Sequence, residues 1–470
     1  MKPEQIQSPR DIDEALDELV PLPPEELPPI DSYPRNDAGT AQAFSERFED
    51  SVRFAPGIGW LVWNGVRWQR DAKATVTQYA VELSRQAQRE AASIDDEDKR
   101  KRATQHALSM GNRNKIDAVL ALAESNPALV IEPTELDTDP FLFGVANGTI
   151  DLRNGTFHDS HSDELITLAS PVPWEEGATC PTWERFLSDI TRGDSKLIAF
   201  LWRAIGYSLT GDTREQRFFF LYGTGSNGKS VFVDTLKTLL GDYSHRASGE
   251  LFERMPNRNK GPELAELPGK RIVLASETKE GCRMDEQIIK DITGGEAMRA
   301  EAKYQAGFPF TPSAKVWMSG NHKPVISGTD EGIWRRVLLV PFLARFEGAA
   351  KDPRMGEKLR AELPGILQWA VAGCLDWQRN GLPLPQVIRD AVNEYRSDED
   401  TLGHFIAEKI EDAPHELTVS KVAVYNAYKD WAEDEGIRYP LMKKTLTSRL
   451  RERGWKHSKR SWHGKKLSGT

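Results

Sequence analysis

Five consecutive apolar residues, Phe218-Phe219-Phe220-Leu221-Tyr222, run directly into Gly223-Thr224-Gly225-Ser226-Asn227-Gly228-Lys229-Ser230. An apolar run of this length fits a strand buried on both faces. The eight residues after it match Gly-x-x-x-x-Gly-Lys-Ser, a loop whose backbone N–H groups cradle phosphates. Val231 to Leu240 then repeats its apolar residues at helical spacing. Strand, loop and helix stand in the order that a nucleoside triphosphate site needs. Gly223 to Val231 is therefore the expected nucleotide-binding stretch. Lys229 is expected on the β- and γ-phosphates and Ser230 on Mg²⁺, which makes ATP and Mg²⁺ the expected cofactors.

The flanking text is that of an α/β protein. Lys270 to Glu277, Ala314 to Asn321 and Arg336 to Phe342 are further strand-like runs, separated by helical stretches. This alternation predicts a mainly parallel sheet covered on both faces. Thr182 to Thr210 reads as two amphipathic helices. Upstream, Gly59 to Trp68 reads as two short strands around an Asn-Gly turn, 74–125 as helical, and Phe141 to Leu152 as a hairpin. Residues 1–36 carry nine acids, three basic residues and eight prolines. Such a segment buries too little apolar surface to offset its ordering entropy. The expected divisions are a disordered stretch at 1–40, a small N-terminal α/β domain at 41–175, a helical collar at 176–216, a core at 217–378, a linker at 379–400 and a C-terminal module at 401–470.

Composition narrows the classes. Cys180, Cys282 and Cys374 are far apart, so neither a zinc site nor a disulfide framework is expected. No membrane span and no basic-then-apolar leader is seen, and a cytoplasmic location in a bacterial host cell is expected. Net charge is −9, yet residues 441–470 hold ten Lys/Arg and one acid. That asymmetry points to a nucleic-acid contact at the C-terminal end.

Hydrolysis needs an acid near the phosphates, a polar group to orient water and a cation to meet developing charge. Glu277 and Asn321 each end an apolar strand. Arg335 and Arg336 follow Gly332-Ile333-Trp334. The five expected catalytic residues are Lys229, Glu277, Asn321, Arg335 and Arg336, with Ser230 and Glu277 as metal ligands.

Gly223–Ser230, Glu277, Lys290-Asp291-Ile292-Thr293-Gly294-Gly295-Glu296, Lys315–Asn321 and Trp334-Arg335-Arg336 fall in order within about 115 residues. As an ordered set this resembles superfamily 3 helicases, and above all the phage/plasmid primase–helicase family that includes poxvirus primase–helicases. The resemblance implies an AAA+-like P-loop ATPase core that assembles into homo-hexameric rings and translocates on single-stranded DNA. It implies Glu277 as the acid of the metal site, Asn321 as the sensor, and Arg336, with Arg335 beside it, reaching into the neighbouring subunit's site. One departure stands out: family members often have two acids at this strand end, and here Ser276 precedes Glu277. Whether Ser276 or Glu277 holds the metal stays open.

The family's channel hairpin corresponds to residues 297–311. It places Lys303 and Tyr304 near the tip, with Arg299 as a companion, where a cation beside an aromatic suits single-stranded DNA. In the C-terminal module, Val422, Val424, Tyr425, Tyr428 and Trp431 form an expected core face, and Leu441 to Leu450 a second helix. Gly454 to Lys466 reads as a basic β-wing. Helix, helix and wing suggest a winged helix that binds duplex or origin DNA through Lys443, Lys444, Arg451, Lys459 and Arg460. Asp137-Thr138-Asp139 has the spacing of a primase metal pair, but Pro140 follows it and it reads as a turn. The expectation is a ring-forming replicative helicase of a phage, plasmid or other mobile element, primed by a separate primase if at all. An origin-binding initiator with an ATP switch, and a fused primase–helicase, remain the alternatives.

Overall fold

The computed structural model describes residues 27–255, 258–276, 281–301, 307–326, 331–348, 351–437 and 440–468. It is a mixed α/β protein. Strands β1 (Val52–Ala55), β2 (Gly59–Trp63) and β3 (Trp68–Arg70) form an antiparallel sheet next to the helices Asp37–Phe48, Thr75–Ala92, Glu97–Met110 and Arg113–Ala123. A second antiparallel sheet holds β4 (Leu142–Val145), β5 (Gly148–Asp151) and β6 (Thr156–His158).

The central sheet is parallel throughout. It contains β7 (Phe218–Tyr222), β8 (Ser244–Ala247) and β9 (Ile272–Ser276). After the two-stranded ladder β10 (Met298–Ala300) and β11 (Phe308–Phe310), it adds β12 (Lys315–Gly320) and β13 (Val337–Pro341). The spatial order is β13-β7-β12-β9-β8. Its residues alternate between two cores. Phe219, Leu221, Leu274, Trp317 and Leu338 face one, with the helices Lys229–Leu240, Ser195–Leu209 and Leu363–Asn380. Phe218, Phe220, Val273, Val316 and Leu339 face the other, with the helix Glu286–Gly294. Covering on both faces explains why these strands read as continuous apolar runs.

Four differences from the sequence reading have physical causes. Residues 27–40 are ordered: Ile30 is buried, its N–H donates to Glu90 Oε2 at 2.6 Å, and Asn36 caps the helix Asp37–Phe48 through Gly39 N. The division near 175 does not separate two cores, because Phe143, Val145, Ile150 and Leu152 pack with Leu201, Ile205 and Trp317. The apolar side of these short strands is buried against the central core instead. The stretch at 379–400 is more than a linker. Beyond Pro385, Ile388, Val392 and Tyr395 recur on one side of the helix Gln386–Asp398, and Ile388 and Tyr395 are buried. Finally, Val422 is exposed while Val424, Tyr428 and Trp431 are buried.

The C-terminal module has its own core of Leu402, Phe405, Val424, Tyr428, Leu446, Leu450 and Trp462. The helices Thr401–Lys409, Lys421–Asp434 and Lys443–Glu452 supply most of it. β14 (Ile410–Asp412) and β15 (Thr418–Ser420) pair with β17 (Lys465–Leu467) and β16 (Ser461–His463) respectively. His457 also bridges Trp462, Ser458 N donates to Ser461 O, and His463 N to Lys456 O. Lys459 and Arg460 therefore stand, exposed, at the tip of a tight turn.

Two buried cations tie the central sheet to its surroundings, Arg271 to the upstream sheet at Leu142 and Lys315 to the segment after the helix Ser195–Leu209. Arg271 donates to Leu209 O at 2.6 Å and to Leu142 O, and lies 4.4 Å from the Tyr243 ring centre. Lys315 donates to Ser313 O at 3.0 Å and to Thr210 O, and burial pulls its pKa well below the usual lysine range.

The helices Ser195–Leu209 and Leu363–Asn380 touch backbone to backbone through two glycines. A methyl at Gly206 would meet Ala370 O at 2.7 Å and the backbone of Gly373 and Cys374; one at Gly373 would meet Trp202 Nε1 at 2.9 Å. Both helices are covered on their other sides, so neither can withdraw. Gly206→Val is expected to cost about 3 kcal/mol by overpacking. The check is the thermal midpoint followed by circular dichroism, and an unchanged midpoint would contradict this packing.

Candidate nucleotide site

The loop Gly223–Gly228 leaves the C-terminal end of β7 and enters the helix Lys229–Leu240. β7 lies between β12 and β13, and the chain crosses over it on the way from β12 to β13. In an open α/β sheet, ligands bind beyond the strand carboxyl ends where connections diverge. The loop sits at such a point, and the start of the helix adds backbone N–H donors and the positive end of its dipole.

Three glycines shape the loop. A methyl at Gly223 would strike Asn227 and the Phe342 carbonyl, and one at Gly228 would lie 2.7 Å from Ile190 Cγ2. At Gly225, φ is +77° and nothing lies within 4 Å, so this part of the backbone is open toward the cleft. Asn227 is buried and braces the loop from behind: its Nδ2 donates to Phe342 O at 3.0 Å. Phe346 N donates to Ser226 O at 2.7 Å from the same side. The expected contact residue Asn227 thus turns its side chain inward.

Lys229 is buried, and its ammonium donates to Gly223 O and to Asn321 Oδ1 at 3.1 Å. Asn321 directly follows β12, whose Gly320 pairs with Tyr222. The neighbouring strand ends, β7 and β12, therefore bring the lysine and the asparagine together, although 92 positions separate them. Ser230 is exposed. These groups border a cleft of about 570 Å³. Thr224 is exposed on the loop, and Val231 lies on the first turn of the helix.

The fit to a triphosphate can be judged from the chain itself. A desolvated ammonium, a backbone cradle that glycines keep open and a helix start converge on one cleft. That donor set suits phosphate oxygens. For the metal, Ser230 Oγ is available, while Glu277 lies outside the described residues; Ser276 ends β9 exposed, level with Ser319 of β12.

The two arginines part ways. Arg336 is 8% exposed; its Nε donates to Thr293 Oγ1 at 3.2 Å and its Nη1 to Gly332 O at 2.6 Å. It braces the Lys290–Glu296 element inside its own chain, whereas the sequence reading has Arg336 reach into a neighbouring subunit's site. Arg335 is exposed, with its guanidinium on Gln216 Oε1 at 2.8 Å.

Other expected positions fall elsewhere. Arg299 is exposed on β10. Lys303 and Tyr304 lie outside the described residues. Lys443, Lys444 and Arg451 are exposed on the helix Lys443–Glu452. Lys465 and Lys466 are paired with Asp412 and Glu411. Asp137 and Asp139 face different partners: Asp137 accepts from Thr167 N at 2.8 Å, and Asp139 from Arg153 Nη2 at 2.7 Å.

Several cleft residues escaped the sequence reading. Phe186 and Asp189 come from the helix Pro181–Ile190, and Phe346, Lys351, Asp352 and Met355 from the segment after β13. The helix showed only as an amphipathic core pattern, and the later segment carries no motif.

Comparison with known proteins adds sequence evidence of kinship. The family described as "D5 N terminal like" matches residues 41–192, and "Family of unknown function (DUF5906)" matches 221–336. A protein of Acanthamoeba polyphaga mimivirus, provisionally named a helicase, is 28% identical over 320 residues, 63% of this chain and 33% of its own. The protein named "Primase D5" of Fowlpox virus is 25% identical over 237 residues, 47% of this chain and 30% of its own. Together these matches support the assignment of the chain to a primase–helicase family of the D5 type. The chain spans about a third of the length of the curated relatives it matches. Among solved structures, the C-terminal region of NrS-1 in an apo form superposes with TM-score 0.47 over 80% of both chains, at 12% identity. Among the described residues, no helix is long and apolar enough to cross a membrane.

Proposed function

We propose that this chain, similar to D5-like primase–helicases, is an ATP-hydrolysing DNA helicase of replication, built on an AAA+-like core and active as a ring on single-stranded DNA. The observation that carries the reading is the Lys229 ammonium, buried between Gly223 O and Asn321 Oδ1 at the carboxyl ends of β7 and β12. Bound ATP with Mg²⁺ would supply the scissile phosphoanhydride. The chain's own groups would do the rest. Gly225 and the helix start bind phosphate oxygens, Lys229 meets charge on the β- and γ-phosphates, and Asn321 orients the attacking water. Ser230, with Ser276 or Glu277, would hold the metal. Arg335, exposed beside β13, would act on a neighbouring subunit's site.

The names of its relatives divide between helicase and primase, and the helicase reading is favoured by the cleft. The test is ATP hydrolysis with and without single-stranded DNA, together with displacement of a labelled strand. DNA-stimulated turnover with displacement is expected. Turnover indifferent to DNA would favour the initiator reading, and template-dependent primer synthesis the fused primase.

We also read the C-terminal module as a winged helix that engages duplex DNA, with the helix Lys443–Glu452 and the turn at Lys459 and Arg460 on one basic surface. If both turn residues lie on phosphates, replacing both by alanine should flatten the slope of log K against log salt by about 2. Fluorescence anisotropy across a salt series checks this; an unchanged slope would remove the turn from the interface.

A further inference from the structure

The segment that follows Asn321 is fastened to the helix that leads into the C-terminal module. Lys323 lies 5.6 Å from the ring centre of Tyr222, at the end of β7, and 5.5 Å from that of Tyr395 on the helix Gln386–Asp398. Its ammonium also reaches Asp398 Oδ2 at 3.3 Å. The buried Tyr395 hydroxyl donates to the Pro324 carbonyl, and its ring stands edge-on to Trp334 with centres 5.4 Å apart. Just past the helix, Glu399 Oε2 accepts the Ile326 N–H at 3.2 Å. Burial pushes the Glu399 carboxyl up to about 7, and Asp398 adds to the rise against the Ile326 N–H and Lys323. Asp400, next in the chain, caps the helix Thr401–Lys409 through Gly403 N at 3.0 Å and pairs with Arg453, just past the helix Lys443–Glu452.

At its other end this segment begins at Asn321, which shares the Lys229 ammonium. Phosphate oxygens compete for that ammonium, because charge-assisted bonds to an anion are stronger than a bond to an amide oxygen. Nucleotide therefore acts directly on the first residue of a segment whose last residues are held by the root of the C-terminal module.

We propose that Tyr395 and Glu399 are positioning residues that couple phosphate binding on the loop to the DNA affinity of the C-terminal module, by tying residues 321–326 to the start of that module. The inference rests on the nucleotide and DNA readings above and adds the connection between them. By linkage the coupling runs both ways: duplex DNA changes nucleotide affinity by the same factor.

The experiment uses the full chain and a fluorescein-labelled duplex oligonucleotide. Duplex affinity is titrated without nucleotide, with Mg²⁺-ADP and with Mg²⁺ and a non-hydrolysable ATP analogue, and nucleotide affinity is measured separately by calorimetry. The unmodified protein should change its duplex Kd at least about fivefold between the analogue and no nucleotide. Tyr395→Phe removes only a hydroxyl, and Glu399→Ala removes the carboxylate that accepts the Ile326 N–H together with its stem. Each should bring that ratio close to one, with nucleotide affinity in the absence of DNA retained. A merely structural role would lower both affinities together and leave the ratio. If the unmodified protein binds both ligands with a ratio of one, the coupling is overturned and the proposed function stands. Variants that keep the full ratio overturn the role of these two residues. A protein that binds no nucleotide overturns the proposed function itself, and the coupling with it. Should Glu399→Ala fail to fold, Tyr395→Phe decides, since it keeps the ring packed on Trp334.

Discussion

Replacing Lys229 by alanine is expected to lower ATP turnover by at least about a hundredfold, the scale on which loss of one preorganised electrostatic contact acts. The side chain is buried, and its ammonium is aimed by Gly223 O and Asn321 Oδ1. In such a place its attraction for a phosphate is far less screened than in water. The fold should survive, because the helix Lys229–Leu240 is anchored by Phe232, Leu236, Leu239 and Leu240 rather than by the lysine. The measurement is steady-state hydrolysis beside a thermal melt. Lost turnover with an intact melt is the expected pair. Asn227→Ala should fail differently: it strips the brace to Phe342 O and lets the loop move, lowering nucleotide affinity as well as turnover. If Lys229→Ala hydrolysed ATP normally, the cleft at β7 would not be the nucleotide site.

Much of this was legible because buried parallel strands leave a strong mark. Phe218 to Tyr222, Ile272 to Ser276, Lys315 to Gly320 and Val337 to Pro341 are apolar on both faces, so their runs needed no periodicity to be seen. β8 left no such mark. It is an edge strand of Ser-His-Arg-Ala, mostly half-exposed, and its pairing with β9 follows from its place in the fold. The helix at 386–398 was hidden behind Pro383 and Pro385, although the prolines only delay its start. The packing of β4 and β5 onto the central core is a long-range fact that local pattern does not carry. Within the cleft, residue types and order pointed to Asn321 at a strand end and to Lys229 after the loop that leaves one, and the structure sets the two 3.1 Å apart. They did not show that Asn227 faces inward, because the Gly-rich pattern fixes a backbone path and says little about which side chains brace it.

The same limit governs Arg335 and Arg336, which only the structure tells apart, and from their placement follows a pair of opposed outcomes. Arg335→Ala should lower turnover of the assembled protein by about a thousandfold, as removal of a cation that meets phosphoryl charge from a neighbouring subunit does. Its melting midpoint should not move, since the side chain is exposed. Arg336→Ala should instead lower the midpoint, costing about 1–3 kcal/mol for buried acceptors left without their donor. Those acceptors are Thr293 Oγ1 and Gly332 O. Mixing separates a shared site from a site within one chain. Lys229→Ala subunits keep Arg335, and Arg335→Ala subunits keep Lys229. In a head-to-tail ring, random mixing in equal amounts makes about a quarter of the sites whole. Two nearly inactive preparations should then regain a substantial fraction of normal turnover. A mixture no more active than its components would place Arg335 outside any shared site, and with it the argument for a ring.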